Sequence, residues 1–237
     1  MSYQLTTFDN DTSMTEVLVA AACQALQPSQ TGTPQTLLLS GGSSPRAFYQ
    51  ALAMAPLDWS SVHMALVDER WVEADDEGSN TRFIETSLRA GAASAAPFTP
   101  MKTAHTSPHD SASQVSAAYD ALPPIGLTIL GMGPDAHTAS WFEKAPEYDA
   151  VSAPDAALAI GGVCAPASDV TGAYLQRSTI TGRSLSKSAQ ALLILKGADR
   201  LAIFQRCMQG DLQSSPIGRA AFILGQRLHV FALTGDQ

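Results

Sequence analysis

The chain has 237 residues, 45% hydrophobic and 15% charged, enough to bury a core without metals or disulfides, so one large α/β domain is expected. A formal net charge of −8, with no basic run longer than two residues, leaves no electrostatic footprint for DNA or RNA. Cys23, Cys164 and Cys207 show no C-x-x-C spacing, the opening MSYQLTTFDNDTSM lacks a leader pattern, and no apolar run reaches membrane-crossing length, so a reduced, cytoplasmic, non-exported chain is expected.

YQLTTF (3–8) reads as a short strand, and DTSMTEVLVAAACQAL (11–26) as an amphipathic helix with Met14, Val17, Leu18, Ala21 and Ala22 on one side. QTLLLS (35–40) is a continuous apolar run of buried-strand length, and GGSSPRAFYQAL (41–52) opens a helix with Pro45 in its first turn. VHMALVD (62–68), IGLTILG (125–131), AQALLILKG (189–197) and RLHVFALT (227–234) predict further buried strands, and ADRLAIFQRCMQ (198–209) a helix. AGAASAAPFTPMKTAHTSPHD (90–110), small and proline-rich, predicts a long surface excursion. The alternation gives a doubly wound, mostly parallel sheet with helices on both faces, in a single domain over 1–237.

In such a sheet, ligands bind beyond the carboxyl ends of the strands. Three loaded segments stand there. LLLSGGSSPRAFYQ (37–50) brings Gly41, Gly42, Ser43 and Ser44 to a helix start, where unpaired N–H groups and the positive dipole end favour an anion. Its spacing is neither a Walker A loop nor G-x-G-x-x-G, so it reads as a phosphate cradle or a plain tight turn and does not indicate a nucleotide. ALVDERWVEADDEGSNTRFI (65–84) places Asp68, Glu69 and Arg70 at a strand end, where a carboxylate can orient a histidine or act as a base and an arginine can hold an anion. Glu73, Asp75, Asp76 and Glu77 read as a solvated acidic loop. ILGMGPDAHTASWF (129–142) sets His137 behind Gly131 and Gly133; His63 and His229 fall inside strands. His105 and His109 are four apart, but Pro108 argues against the helix that would make them chelate, and no metal site is expected.

LSGGSSPRAFYQAL, VDERWV with Ser79-Asn80, and LGMGPDAHTASWF resemble the signature segments of the 6-phosphogluconolactonase family, within the wider group that includes glucosamine-6-phosphate deaminase. RSTITGRSL (177–185) resembles the family's Arg-Ile-Thr segment and LLILKGADR (192–200) its late strand and Gly-x-x-Lys turn, so the resemblance spans nearly the whole chain. It implies a doubly wound α/β fold, no cofactor, and hydrolysis of 6-phospho-D-glucono-1,5-lactone in the oxidative pentose phosphate pathway. Two departures stand out: Ala136 where the family has glycine, and Arg200 where it has lysine.

Lactone hydrolysis needs a base for water, donors for the developing oxyanion and an acid for the leaving ring oxygen. His137 suits both proton transfers, Asp68 is expected to orient the imidazole, and N–H groups around Gly42, Gly131 and Gly133 are candidate donors. The phosphate requires local cations; of Arg46, Arg70, Arg177 and Arg200, the last two rank first, with Arg46 and Arg183 open to being surface residues. The expected substrate-binding set is therefore Gly41, Gly42, Ser43, Ser44, Arg70, Asn80, Gly131, Gly133, Arg177 and Arg200, around a phosphorylated sugar lactone, in a monomer or homodimer. Two other functions fit less well. A glucosamine-6-phosphate deaminase or isomerase would use a strand-end aspartate as base, and Asp-Glu-Arg replaces the deaminase-like Asp-Glu-Tyr. A non-catalytic sugar-phosphate-sensing module would keep the cradle and lose catalysis, but such sensors usually carry a DNA-binding helix pair, and none is expected before the first βα unit.

Overall fold

The computed structural model describes residues 3–28 and 32–235; the outermost ends of the 1–237 domain expectation lie outside the described residues. The strands are β1 (Gln4–Phe8), β2 (Gln35–Leu39), β3 (Val62–Leu66), β4 (Asp68–Arg70), β5 (Phe98–Thr99), β6 (Ile125–Leu130), β7 (Ile160–Cys164), β8 (Gln176–Ile180), β9 (Gln190–Lys196) and β10 (Leu228–Leu233). The α-helices are α1 (Asp11–Ala25), α2 (Arg46–Ala53), α3 (Asn80–Ser87), α4 (Pro108–Asp120), α5 (Tyr148–Ser152), α6 (Gly182–Ser186), α7 (Ala198–Gln209) and α8 (Pro216–Leu224).

Seven strands form one sheet in the order β1-β10-β9-β6-β2-β3-β5, every neighbouring pair parallel. Strands covered on both faces must be apolar on both, and Leu37, Leu38, Leu39, Met64, Leu66, Leu127, Ile129, Leu192 and Leu193 are fully buried. From β1 through β2 and β3 to β5 the chain steps towards one edge, and from β5 through β6 and β9 to β10 it steps back. Right-handed crossovers therefore set α1, α2 and α3 on one face and α4, α7 and α8 on the other. The reversal opens a crevice at the carboxyl ends of the adjacent strands β2 and β6.

The apolar run at 62–68 is not one strand. β3 stops at Leu66, Val67 N–H donates to Leu39 O at 2.8 Å, and Asp68–Arg70 turns away to join a separate antiparallel sheet, β4-β8-β7, paired with Thr179, Ser178 and Arg177. A buried phenol ends the first sheet here: β5 pairs only with Met64 and Ala65, and the Tyr119 hydroxyl takes over at Leu66, accepting from its N–H at 2.9 Å and donating to its carbonyl at 3.0 Å. Tyr49 does similar work at the end of β2, donating to Ser40 O at 2.9 Å. Burial pushes both phenols well above their ordinary value.

Two other expectations change. The 90–110 segment is not wholly an excursion: it supplies edge strand β5 and the start of α4, where Ser107 caps the helix through Asp110 N–H and Pro108 occupies the first turn that proline tolerates. On α1 the buried stripe is Met14, Leu18 and Ala22, while Val17 points outward at 43% exposure, because the helix contacts the sheet along a narrower seam than the full apolar arc. Among the described residues no helix is long and apolar enough to cross a membrane.

Candidate active site

The crevice holds a recess of about 370 Å³ built from the loops that follow β2 and β6, from strands β4 and β8, and from the first turns of α3 and α7. Every residue of the expected catalytic and substrate-binding set lines it: Gly41, Gly42, Ser43, Ser44, Asp68, Arg70, Asn80, Gly131, Gly133, His137, Arg177 and Arg200. Two of the glycines are needed for space. A Cβ at Gly41 would occupy the place of the Asn80 carboxamide, and one at Gly133 would strike both the His137 ring and the Asp135 carboxylate.

His137 is oriented by a different carboxylate from the one expected. Its Nδ1 lies 2.5 Å from Asp135 Oδ1, and the ring stacks on Phe142 with centroids 4.6 Å apart. With Nδ1–H donated to Asp135, the neutral ring keeps its lone pair on Nε2, the arrangement a general base requires. Burial works to raise the Asp135 carboxyl, but the hydrogen bond and charge of His137 outweigh it and hold the group below the ordinary aspartate value. Gly133 also differs from expectation. Its N–H donates to His137 O at 2.9 Å, so it braces the loop and is not free to receive an oxyanion. The loop is wound through two residues in the left-handed region, Ala136 at φ 63° and Ala139 at φ 51°, pinned by Ile217 N–H to Ala136 O at 3.1 Å and Thr138 Oγ1 to Gly131 O at 2.9 Å.

Asp68 is the centre of a buried polar cluster. Its carboxylate accepts from Ser140 Oγ at 2.6 Å and from Asn80 Nδ2 at 3.3 Å, and lies 4.0 Å from Arg177 Nη1. Arg177 is only 4% exposed; burial lowers its pKa and Asp68 opposes that shift. Across the β4–β8 ladder Arg177 stands directly opposite Arg70. Like charges directly opposite destabilise a ladder, so the pair favours an anion in the recess that both line. Arg177 Nε is held by Tyr174 O at 2.7 Å and Arg70 Nη1 by Gly78 O at 2.5 Å, leaving Arg70 Nε buried without a hydrogen bond.

The profile of the family described as glucosamine-6-phosphate isomerases/6-phosphogluconolactonase matches residues 9–227. The chain belongs to this family. A 6-phosphogluconolactonase of Xylella fastidiosa (strain Temecula1) is 33% identical over 201 residues, covering 82% of this chain and 81% of that protein. One of Neisseria meningitidis serogroup A is 31% identical over 229 residues, 94% and 96% of the two chains. The crystal structure of a 6-phosphogluconolactonase from Shewanella baltica OS155 superposes with a TM-score of 0.88 at 28% identity, covering 98% and 97%.

Within this glucosamine-6-phosphate isomerase/6-phosphogluconolactonase chain, Ala136 does take the positive φ that glycine would adopt without strain. Arg46 is exposed with its guanidinium over Phe83, and Arg183 pairs with Asp120 at 2.6 Å; neither lines the recess. The acidic loop is not all solvated, since Asp76 accepts from Gly78 N–H at 2.7 Å and from the Tyr174 hydroxyl at 3.3 Å. Glu69, 1% exposed, is a structural group: it accepts from the N–H groups of Arg70, Asn80 and Thr81 and from Ser79 Oγ at the start of α3, and burial pushes its carboxyl up against those bonds. His109 pairs with Glu147 at 2.8 Å and His105 with Thr103, and no cluster of three metal-ligating side chains exists among the described residues. Asp135, Ser140 and Val170, the last lining the recess, lie outside the expected set. Asp135 was in view beside His137, whereas nothing in the sequence ties Ser140 to a residue 72 positions away.

Proposed function

We propose that the chain hydrolyses 6-phospho-D-glucono-1,5-lactone to 6-phospho-D-gluconate, the lactonase step of the oxidative pentose phosphate pathway, with residues 1–237 forming one sugar-phosphate lactonase domain that uses no cofactor. The observation that carries this reading is His137, held at Nδ1 by Asp135 with Nε2 left free, lining the same recess as the Gly41–Ser44 loop and three arginines. The enzyme names of the relatives support it.

His137 Nε2 takes a proton from water as the oxygen adds to C1 of the lactone, and Asp135 stabilises the imidazolium that forms. The carbonyl oxygen becomes an oxyanion beside the Gly42 and Gly131 backbone. When the ring C–O bond breaks, the imidazolium returns its proton to the departing ring oxygen, which becomes the C5 hydroxyl. The C1 carboxylic acid then loses its own proton to solvent, so one water is consumed and one proton released. Arg177 and Arg200, with Ser43 and Ser44 at the start of helix α2, hold the phosphate, and Arg70 adds positive charge in the same recess. Asp68 positions Arg177 and Ser140.

The test is NMR of freshly generated 6-phosphogluconolactone with and without the protein, because the lactone also opens spontaneously. Acceleration over that background is expected; a rate equal to background overturns the reading.

A further inference from the structure

Beside the substrate recess lies a second one of about 570 Å³, with Asp11, Ser43, Ser44, Lys196 and Arg200 among its lining residues. Ser43, Ser44 and Arg200 line both recesses, so the phosphate cradle is a shared wall between them. We infer that the second recess is a subsite for a second phosphoryl group, so that the chain binds a diphosphate, with one phosphoryl in the cradle and the next against Lys196, more tightly than a monophosphate. This rests on the reading above that Ser43, Ser44 and Arg200 hold phosphate.

Among the described residues, three charged side chains line this recess: Lys196 and Arg200 against Asp11. The balance is positive although the chain as a whole carries −8. Lys196 ends β9, with Nζ 2.8 Å from the Asp11 carboxylate at the start of α1. The lysine side chain is 17% exposed and the aspartate 42%, so the acid is the outer, more readily displaced member of the pair. A phosphoryl group offers three acceptor oxygens where Asp11 offers two, and it would sit between two cations and two serine hydroxyls. The Asp11 carboxylate thus competes with an incoming phosphoryl for Lys196. That competition makes the proposal separable from a general preference for charge.

Isothermal titration calorimetry of the full chain with inorganic phosphate and with inorganic pyrophosphate, free of divalent metals, reads it directly. Pyrophosphate should bind about tenfold or more tighter than phosphate, the scale of one added charge-assisted contact. Lys196→Met should erase that advantage while sparing phosphate, and Asp11→Asn should enlarge it. Equal binding of the two anions by the unaltered chain, an advantage that survives Lys196→Met, or pyrophosphate binding weakened by Asp11→Asn each overturns the proposal. Circular dichroism of each variant confirms that binding is compared between folded proteins, and the Asp11→Asn arm, which predicts a gain, cannot be mimicked by loss of fold. Arg200→Ala separates the two readings: it should weaken both anions. If it spares phosphate while Lys196→Met still removes the pyrophosphate advantage, the cradle assignment falls and the second subsite stands.

Discussion

The seven-stranded sheet buries leucine, isoleucine and methionine on both faces, whereas the three-stranded sheet buries Asp68, Glu69 and Arg177 within the protein. The first is held mainly by removing apolar surface from water, at roughly 25 cal/mol per Å², and it tolerates small changes of shape because few of its side chains need a specific partner, Thr36 with Pro123 O and Thr128 with Ser188 being the exceptions. The second relies on buried polar contacts, where losing a partner of Asp68, Glu69 or Arg177 strands a charge. Both meet at the crevice. The large sheet contributes strand ends that fix the backbone, and the small sheet brings in charge that an apolar core could not accommodate. Scaffold and chemistry thus rest on different kinds of contact, although Ile160, Val163 and Ile180 of the small sheet pack into the same apolar core as the large one.

The largest expected effect tests the chemistry alone. His137→Asn should lower kcat by about 10²–10⁴-fold, the ordinary worth of a general acid–base, with thermal unfolding little changed because the ring is a loop residue at the recess. Near-normal turnover would remove His137 from the mechanism. Next comes a paired break of the two sheets. Asp68→Ala should destabilise the fold by about 3–5 kcal/mol, since it strands the Arg177 guanidinium, and should also depress kcat/KM per folded molecule. Leu38→Ala should be comparably destabilising, about 2–5 kcal/mol, yet leave kcat/KM per folded molecule unchanged. Denaturant unfolding alongside active-site-normalised kinetics separates them; equal kinetic behaviour would dissolve the distinction between the sheets.

A smaller effect is expected at the phosphate. Arg200→Ala should raise KM about tenfold with a lesser change in kcat, because the phosphate is the same in ground and transition states. Weak hydrolysis of unphosphorylated glucono-1,5-lactone should be almost untouched, and equal losses on both lactones would make Arg200 structural. The smallest concerns backbone strain. Ala136→Gly should stabilise the fold by up to about 1 kcal/mol, measured as a shift in the denaturation midpoint, because glycine meets φ 63° without a Cβ penalty. Destabilisation instead would show that the Ala136 methyl, 7% exposed, is worth more in packing than its φ costs.

The same contrast explains what the sequence disclosed. Five strands of the large sheet are readable because buried parallel strands are continuous apolar runs; the two edge strands differ, β1 being an exposed QLTTF and β5 pairing only two residues. β4 was hidden because its three residues, Asp-Glu-Arg, carry no periodicity, and burial of such a segment depends on partners far along the chain. The recess itself was legible, since strand ends followed by glycines, a lone histidine and basic residues must converge at a topological reversal. The pairings inside it were not. Asp68 reads as the histidine's partner because it ends a strand, yet a tight loop two residues long brings Asp135 to the imidazole first. The distinction rests on Ala136 and Ala139 adopting backbone angles that alanine seldom takes, which no propensity argument would assign.

The tyrosines that end strands β2 and β3 also make the molecule its own optical indicator. Tyr49 and Tyr119 are two of five tyrosines, and burial raises both phenols well above the ordinary value near ~10. A raised folded pKa gives stability that is whole below the unfolded value and declines as the pH climbs above it, because the unfolded chain releases those protons first. Alkali should therefore destabilise the fold in part through these two hydroxyls. Phenolate absorbance should rise in stages on alkaline titration, with the delayed fraction appearing together with the loss of helical circular dichroism. In a Tyr119→Phe chain that delayed fraction should shrink, so the colour change reports when the end of β3 comes undone.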